Sequence, residues 1–244
     1  MLGAFVSLGR ILVDIVFPRI CCGCDERILE PGRIVCSNCE RALRPLRLPL
    51  CPRCGAEDSP AAAGRACPLC PKGEIYFVAV RSFTAYEGPA IAILDRLKYR
   101  NRQEYAEVIS PLMVRTLQSH YSALAFGGVV AVPLHPTRRR ERGYNQAALL
   151  AEAISRKTGL AYLDHTLLRI RPTPSQTHLD RRARAKNVRD AFVVRNAEAV
   201  VGKTILLVDD VCTTGATLNE CAQALCAAGA TAVYGLTFCR ATLD

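Results

Sequence analysis

Four Cys-x2-Cys pairs in the N-terminal part of the chain limit its possible folds more strongly than any other feature. Nine of the thirteen cysteines lie between Cys21 and Cys70, and the intervals inside the two double pairs are eleven and twelve residues. Two such pairs present four thiolates, which is the tetrahedral ligand set of a structural Zn²⁺. The spacing therefore predicts two zinc ribbons, with the ligands Cys21, Cys24, Cys36 and Cys39 in the first and Cys51, Cys54, Cys67 and Cys70 in the second.

Two alternatives for these cysteines stay open in the sequence. Cys22 could replace Cys21 as the first ligand if the knuckle is shifted by one residue, and four thiolates also bind iron–sulfur clusters. Tandem pairs near ribbon spacing favour zinc, and a closed site of four thiolates favours a structural role. Since paired cysteines without a secretion signal indicate metal binding in a reducing compartment, we expect a cytoplasmic protein.

The segment that precedes the ribbons is apolar but too short to span a bilayer, and Arg10 and Asp14 interrupt it. The spacing of its apolar residues predicts an amphipathic helix that packs on the ribbon module. We therefore expect three regions in the chain: this helix over 1–17, the double zinc ribbon over 18–72, and a larger domain over 75–244.

The larger domain alternates apolar runs with helical stretches. The runs that predict strands are Ile75–Tyr86, Val129–Val132, Leu167–Ile170, Thr204–Val208 and Ala232–Phe238. The apolar spacing between them predicts helices near 89–97, 105–117, 146–157 and 217–228. Continuous apolar strands that alternate with helices are typical of an α/β fold with a parallel sheet covered on both faces.

An acidic, threonine-rich string of ten residues, 208–217, follows one of these strands. Asp209 and Asp210 come at the carboxyl end of the strand, which is where open α/β sheets bind ligands, and carboxylates suit ribose hydroxyls and Mg²⁺. Because both carboxylates are predicted to lie in a loop, we expect them to be exposed and their replacement to leave the melting temperature nearly unchanged. The predicted phosphate-binding part of the string is Val211, Thr213, Thr214, Gly215, Ala216 and Thr217.

The string resembles the phosphoribosyl pyrophosphate (PRPP) motif of type I phosphoribosyltransferases. Together with the two ribbons, it makes the chain resemble the ComF (competence protein F) family of bacterial DNA uptake. The resemblance covers nearly the whole chain, and the combination of motifs is more specific than each motif alone. The other segments that carry it are Pro18–Cys21, Tyr86–Gly88, Leu97–Tyr99, Val132–His135, Arg139–Gln146, Thr173–Leu179 and Arg184–Asn187.

The resemblance implies roles for two further loops. Pro133–Tyr144 matches the pyrophosphate loop, whose arginines Arg138, Arg139, Arg140 and Arg142 would offer fork-shaped donors to a diphosphate. Thr173–Asn187 matches the mobile loop that closes over the active site, with Gln176 and Arg184 as its candidate catalytic residues beside Asp209 and Asp210.

The reaction class that follows is displacement of pyrophosphate from C1 of PRPP by a nitrogenous base, with Mg²⁺ as cofactor. Two rival functions remain: a nucleotide or single-strand-DNA sensor without turnover, and an adaptor whose ribbons dock a helicase-like ATPase. The net charge of +10 and the arginine-rich loops favour anionic partners. We therefore expect weak, salt-sensitive binding of single-stranded DNA by the transferase-like domain, with the ribbons used mainly for protein contacts.

Overall fold

The computed structural model describes residues 19–28, 30, 33–57, 59, 64–99, 104–171 and 188–241. A parallel sheet of four strands forms its centre, made of β1 (Ala79–Ala85), β2 (Gly128–Ala131), β5 (Thr204–Cys212) and β6 (Ala232–Arg240). The spatial order is β1-β6-β5-β2, and every neighbouring pair is parallel. The run 205–208 in β5 is fully buried, because helices cover both faces of the sheet. The predicted α/β fold with a parallel sheet is confirmed.

The helices divide between the two faces of this sheet. On one face, α2 (Pro89–Tyr99), α3 (Tyr105–Tyr121) and α5 (Gln146–Thr158) share one apolar core with the sheet. On the other face, α6 (Ala216–Ala227) packs on the sheet with its buried residues Leu218, Cys221, Ala222 and Leu225. Two shorter helices lie outside these layers: α1 (Ser37–Ala42) in the first ribbon and α4 (Pro136–Arg142) after β2.

A small antiparallel pair lies apart from the main sheet. It joins β3 (Leu167–Arg169) to β4 (Phe192–Val194). The strand predicted near 167–170 is present, but its expected place in the parallel sheet was wrong, because it pairs antiparallel with β4. The sequence pattern made no prediction for 192–194. The physical reason is length, since strands of three residues are too short for their periodicity to distinguish a sheet strand from a hairpin.

The predicted amphipathic helix over 1–17 lies outside the described residues. Within the described part of the chain, none of the helices combines the length and the hydropathy that crossing a bilayer requires. The three regional boundaries given above stay a prediction.

Candidate functional site

Each ribbon brings its four cysteine sulfurs together. Within each set all four Sγ atoms lie within 4.8 Å of one another, and the Sγ–Sγ distances of Cys24–Cys36 and Cys51–Cys70 are both 3.7 Å. A tetrahedron of Zn–S bonds has sulfur–sulfur edges of about 3.8 Å. The two sites therefore fit structural zinc. The first set contains Cys21, whereas Cys22 is buried in the apolar core.

One thiol in each set is unusually acidic. Burial opposes ionisation of Cys21, but backbone N–H groups, led by that of Cys36, bring the pKa of its thiol down to about 7. Burial likewise opposes ionisation of Cys67, and hydrogen bonds from Ser59 and the Leu69 N–H lower its pKa to about 7. Since Zn²⁺ binds the thiolate, each site holds one ligand that is ready to bind near neutral pH.

A lysine from α2 meets the end of β5. Nζ of Lys98 lies 3.0 Å from Oδ2 of Asp210, and their side chains are only 14% and 5% exposed. Burial opposes the charge on Lys98, but the Asp210 carboxylate outweighs burial and raises the lysine pKa. The expectation that both carboxylates are exposed was wrong, because β5 continues to Cys212: Asp209 is half-buried, and Asp210 is buried against Lys98 of α2. Replacing Asp210 must therefore affect stability.

The neighbouring carboxyl, Asp209, is in the opposite electrostatic situation. Burial first, and the adjacent Asp210 second, raise its pKa well above the usual carboxyl range. Its Oδ1 accepts the Asp210 N–H at 2.9 Å. Consecutive residues of a strand point to opposite faces, so Asp209 and Asp210 do not converge on one ion through β5 alone, and Asp210 already has Lys98 as its partner. A divalent cation would favour the ionised form of Asp209, and carboxylate oxygens are ligands that Mg²⁺ prefers. The chemistry of Asp209 therefore suits a Mg²⁺ ion that takes its other ligands from the substrate and water.

The loop between β5 and α6 turns at Gly215. This residue has φ 73°, a left-handed conformation that glycine adopts without a steric penalty. The Ala216 N–H donates to Oγ1 of Thr214 at 3.3 Å. Among the described residues, no group accepts a hydrogen bond from the N–H of Thr213 or of Thr214. Two such donors beside the N-terminus of a helix suit a phosphate group.

The arginine-rich segment after β2 is a short helix, α4, although the sequence pattern predicted a loop there. His135 caps the helix by accepting the Thr137 N–H at Nδ1, and Gly143 ends it with φ 80°. The arginines differ in their partners. Arg138 pairs with Glu141 at 3.0 Å, and Arg142 donates to Oε1 of Gln146 at 3.0 Å, whereas Arg139 and Arg140 are exposed.

The Tyr-Asn pair that follows this helix joins three elements. Tyr144 Oη donates to the carbonyl of Leu97, one residue before Lys98. Asn145 caps α5 by accepting the Ala147 N–H at 3.1 Å, and its Nδ2 donates to the Val132 carbonyl at 3.0 Å. These bonds fix α4, α2 and the end of β2 relative to one another. The Tyr-Asn pair therefore has a structural role, which is to hold the elements that carry the candidate site residues.

A cleft of about 850 Å³ lies between this region and the segment 162–170, with Arg139, Asn145 and Arg169 in its lining. Arg169 on β3 is half-buried, and burial lowers its pKa, while Asp209 acts on it in the opposite direction and Arg138 lowers it further. Arg169 is thus within electrostatic range of both Asp209 and Arg138. The volume is that of an ordinary small-molecule pocket.

The candidate residues Gln176 and Arg184 lie outside the described residues. The described ends of their segment are β3 and β4, which pair with each other.

Sequence reasoning gave no role to three charged residues at the site: Lys98, Arg169 and Arg240. Lys98 follows Leu97 on the apolar face of α2, and Arg240 ends an otherwise buried strand. A charged residue within an apolar sequence pattern could therefore have identified both Lys98 and Arg240. Arg169 had no such signal, because its strand was too short to define a buried face.

Comparison with known proteins agrees with this architecture. Residues 12–71 match the family model "Double zinc ribbon domain", and residues 143–241 match "Phosphoribosyl transferase domain". The DNA utilization protein YhgH of Salmonella typhimurium is 33% identical over 91% of this chain and 97% of its own length. Competence protein F of Haemophilus influenzae is 29% identical over 78% of this chain and 83% of its own. Competence protein ComFC of Bacillus subtilis is 28% identical over 87% of each chain.

Proposed function

Because the chain belongs to the ComF family, with a double zinc ribbon and a phosphoribosyltransferase domain, we propose that it binds PRPP with Mg²⁺ at the end of β5. The observation that carries this proposal is the pair Asp209 and Asp210 beside the loop at Gly215. Carboxyl groups that suit a cation and ribose hydroxyls lie next to backbone N–H groups that suit a phosphate. PRPP carries both ribose hydroxyls and phosphates, and its diphosphate binds Mg²⁺.

The roles of the residues follow from their chemistry. Asp209 and Asp210 would bind Mg²⁺ and the ribose hydroxyls, and Lys98 holds the Asp210 side chain in place at 3.0 Å. The N–H groups of Thr213 and Thr214, with the hydroxyls of the loop, would bind the 5-phosphate. The further phosphate-binding candidates are Val211 in β5, Gly215 in the loop, Ala216 and Thr217 in the first turn of α6, and Arg138, Arg139 and Arg142 on α4.

In the proposed reaction, a nitrogen nucleophile forms a bond to C1 of the ribose while the bond from C1 to the pyrophosphate oxygen breaks. The electron pair of that bond leaves with pyrophosphate, and the proton of the attacking N–H passes to solvent. A bound Mg²⁺ would supply charge neutralisation for the leaving group. The arginines of α4 would hold the diphosphate in place, and Gln176 and Arg184 would close over it to exclude water. Positioning and electrostatic stabilisation provide most of the catalysis in such a site.

We place this activity in the use or uptake of DNA, because the relatives are named DNA utilization and competence proteins. A second candidate is a non-catalytic adaptor that binds nucleotides or single-stranded DNA and docks a helicase-like ATPase. The same names and the net charge of +10 favour it. The two candidates differ in whether pyrophosphate is released.

Calorimetry with Mg²⁺ and PRPP tests ligand binding. We expect the intact chain to bind, and Asp209→Ala to weaken binding by one to two orders of magnitude, which is about the loss of a charge-assisted contact. Asp95→Asn, an exposed change on α2, is the control and should bind as the unaltered protein does. Absence of binding to the intact protein would refute the proposal.

A panel of nucleobases with pyrophosphate release as the readout then separates enzyme from adaptor. Release with any base supports the transferase. Binding of PRPP without release from any base, together with salt-sensitive binding of single-stranded DNA, supports the adaptor.

A further inference from the structure

The last residue of β6 links the second zinc ribbon to the ligand loop. Arg240 is 1% exposed, and its Nη1 donates to the carbonyls of Cys212 at 2.7 Å and of Thr213. Its Nη2 lies 3.4 Å from the carbonyl of Leu69, which belongs to the Cys67-x2-Cys70 knuckle. One planar guanidinium thus bonds both to the loop and to the backbone between two zinc ligands.

The bonds to the loop determine which way its N–H groups point. In a planar trans peptide the C=O and the following N–H point in opposite directions. Because the carbonyls of Cys212 and Thr213 accept from Arg240, the N–H groups of Thr213 and Thr214 point away from it. These are the two donors for which the described residues supply no acceptor. The Ala241 N–H also donates to the Cys212 carbonyl at 2.9 Å and so helps to orient the Thr213 N–H. Arg240 bonds to both carbonyls and is the donor that orients the Thr214 N–H.

A second contact from the same knuckle reaches the same loop. Pro71 follows the ligand Cys70, and a Cβ placed on Gly215 would lie 3.3 Å from its Cγ. The knuckle thus packs against the turn while Arg240 bonds to the residues before it. A zinc ion bound by Cys67 and Cys70 would fix the positions of both cysteines. It would thereby also fix Leu69, which lies between them, and Pro71, which follows Cys70.

We propose that Arg240 is a positioning residue that couples the second zinc site to the ligand loop, so that zinc retention at Cys51–Cys70 and ligand binding at Thr213–Thr214 strengthen each other. The ligand half of this inference rests on the function proposed above. Coupling between two sites is reciprocal, so the ligand must protect the zinc as much as the zinc supports the ligand.

The test compares Arg240→Lys with Arg96→Lys. Lysine keeps the buried charge but cannot bridge two loop carbonyls and the knuckle with a rigid fork. Arg96 is the matched control, because it is a buried arginine that donates to the Cys21 carbonyl of the first ribbon at 3.3 Å. Elemental analysis should find two zinc ions in both variants, which establishes that both ribbons have folded.

The first measurement needs no ligand. The N–H groups of Ala216 and Asn219 report on the loop, because they donate to Oγ1 of Thr214 at 3.3 Å and to the Gly215 carbonyl at 2.8 Å. Their amide hydrogen exchange should become about tenfold faster in Arg240→Lys, as for the loss of one charged hydrogen bond, while exchange at 205–208 in β5 stays unchanged. Arg96→Lys should leave the loop unchanged. Unaltered loop exchange in Arg240→Lys would overturn the coupling.

The second measurement follows zinc transfer to a chromophoric chelator that does not bind magnesium, with and without Mg²⁺ and PRPP. Proteins with Cys36→Ser or Cys67→Ser, which each keep one site, assign the two release phases. We expect the ligand to slow release from the second site about tenfold, not from the first, and Arg240→Lys to abolish this protection. If the protein binds PRPP but releases zinc from the second site at the same rate with and without the ligand, the coupling is overturned. If the intact protein binds no PRPP but the ligand-free exchange changes as expected, the proposed function fails and the link between zinc site and loop stands.

Discussion

The two zinc ribbons have the same first knuckle but attach to the α/β domain in different ways. In both, the first cysteine N–H donates to the carbonyl five residues later at 2.8 Å, inside a short antiparallel bridge. The first ribbon then contributes Cys21, Cys22 and Cys39 to the large core shared with α2 and α3. The second ribbon keeps a small core of its own around Cys51 and Cys54.

The second ribbon joins the domain mainly through polar contacts, beside the packing of Pro71 against the turn at Gly215. The Val80 N–H of β1 donates to the Arg53 carbonyl at 2.6 Å, Arg81 donates to the Pro52 carbonyl at 3.1 Å, and Arg240 reaches Leu69. Apolar burial stabilises without direction, whereas hydrogen bonds orient the groups that they join. We infer that the first ribbon serves mainly the stability of the whole fold and the second serves the geometry of the ligand loop.

The largest expected effect is the loss of a metal site. Cys36→Ser and Cys67→Ser should each remove one of two zinc ions, and structural zinc contributes about 10–16 kcal/mol of apparent binding free energy. Cys36→Ser should lower the melting temperature of the whole chain, because its site shares the main core. Cys67→Ser should leave the main transition nearly in place and disturb the loop.

Elemental analysis and calorimetric unfolding measure both parts. Iron in the purified protein, or no metal in a folded sample, would contradict the zinc assignment. An equal fall in melting temperature for the two variants would remove the distinction between the ribbons.

The next effect in size concerns the carboxylate that α2 covers. Asp210→Ala should lower the free energy of unfolding by about 3–5 kcal/mol, because it leaves Lys98 buried without its partner. Adding Lys98→Met should recover most of that loss, because no buried charge is then left without a partner. Asp209→Ala should cost little stability, since burial already disfavours the charge on Asp209. Urea unfolding of the three proteins provides the measurement. A single variant at Asp210 as stable as the parent would mean that the ion pair contributes nothing.

The zinc ligands and the pair Asp209 and Asp210 show which features of the site can be predicted from the sequence and which cannot. The ligand sets of the ribbons follow from spacing, because a Cys-x2-Cys knuckle is a local structure. The place of Asp209 at the end of a buried strand also follows from a local pattern. The burial of Asp210 does not, since its partner Lys98 is more than one hundred residues earlier in the chain. The contacts of Arg240 with Leu69 depend on how the ribbon docks on the sheet, which no periodicity encodes.

A smaller effect tests how the second ribbon docks. Gly55 has φ 67°, and a Cβ there would lie 2.5 Å from the Val80 carbonyl oxygen, whereas the equivalent position of the first ribbon is Asp25, with φ 63°. Gly55→Ala should combine left-handed strain of about 1–2 kcal/mol with an overlap of about 1–3 kcal/mol. Gly73→Ala is the control, since Gly73 has φ 86° and nothing within 4 Å of the added Cβ.

Both alanine variants should keep two zinc ions, and hydrogen exchange at Val80 should rise only in Gly55→Ala. Equal destabilisation of the two variants would mean that the close approach of the ribbon to β1 has no energetic weight.

The smallest expected effect concerns the ion pair that joins the two ribbons to each other. Arg44, at the end of the first ribbon, places Nη1 2.9 Å from Oε1 of Glu57 in the second, and their side chains are 34% and 16% exposed. Such a partly exposed pair is worth about 1 kcal/mol or less, and salt screens it. A double-mutant cycle with Arg44→Met and Glu57→Gln should therefore give a coupling energy below about 1 kcal/mol that declines at high salt. Glutamine is the suitable replacement, because its Oε1 can still accept the Arg47 N–H that Glu57 accepts. A coupling well above that value, unchanged by salt, would mean that the ribbons act as one unit, and the separate roles assigned to them would have to be given up.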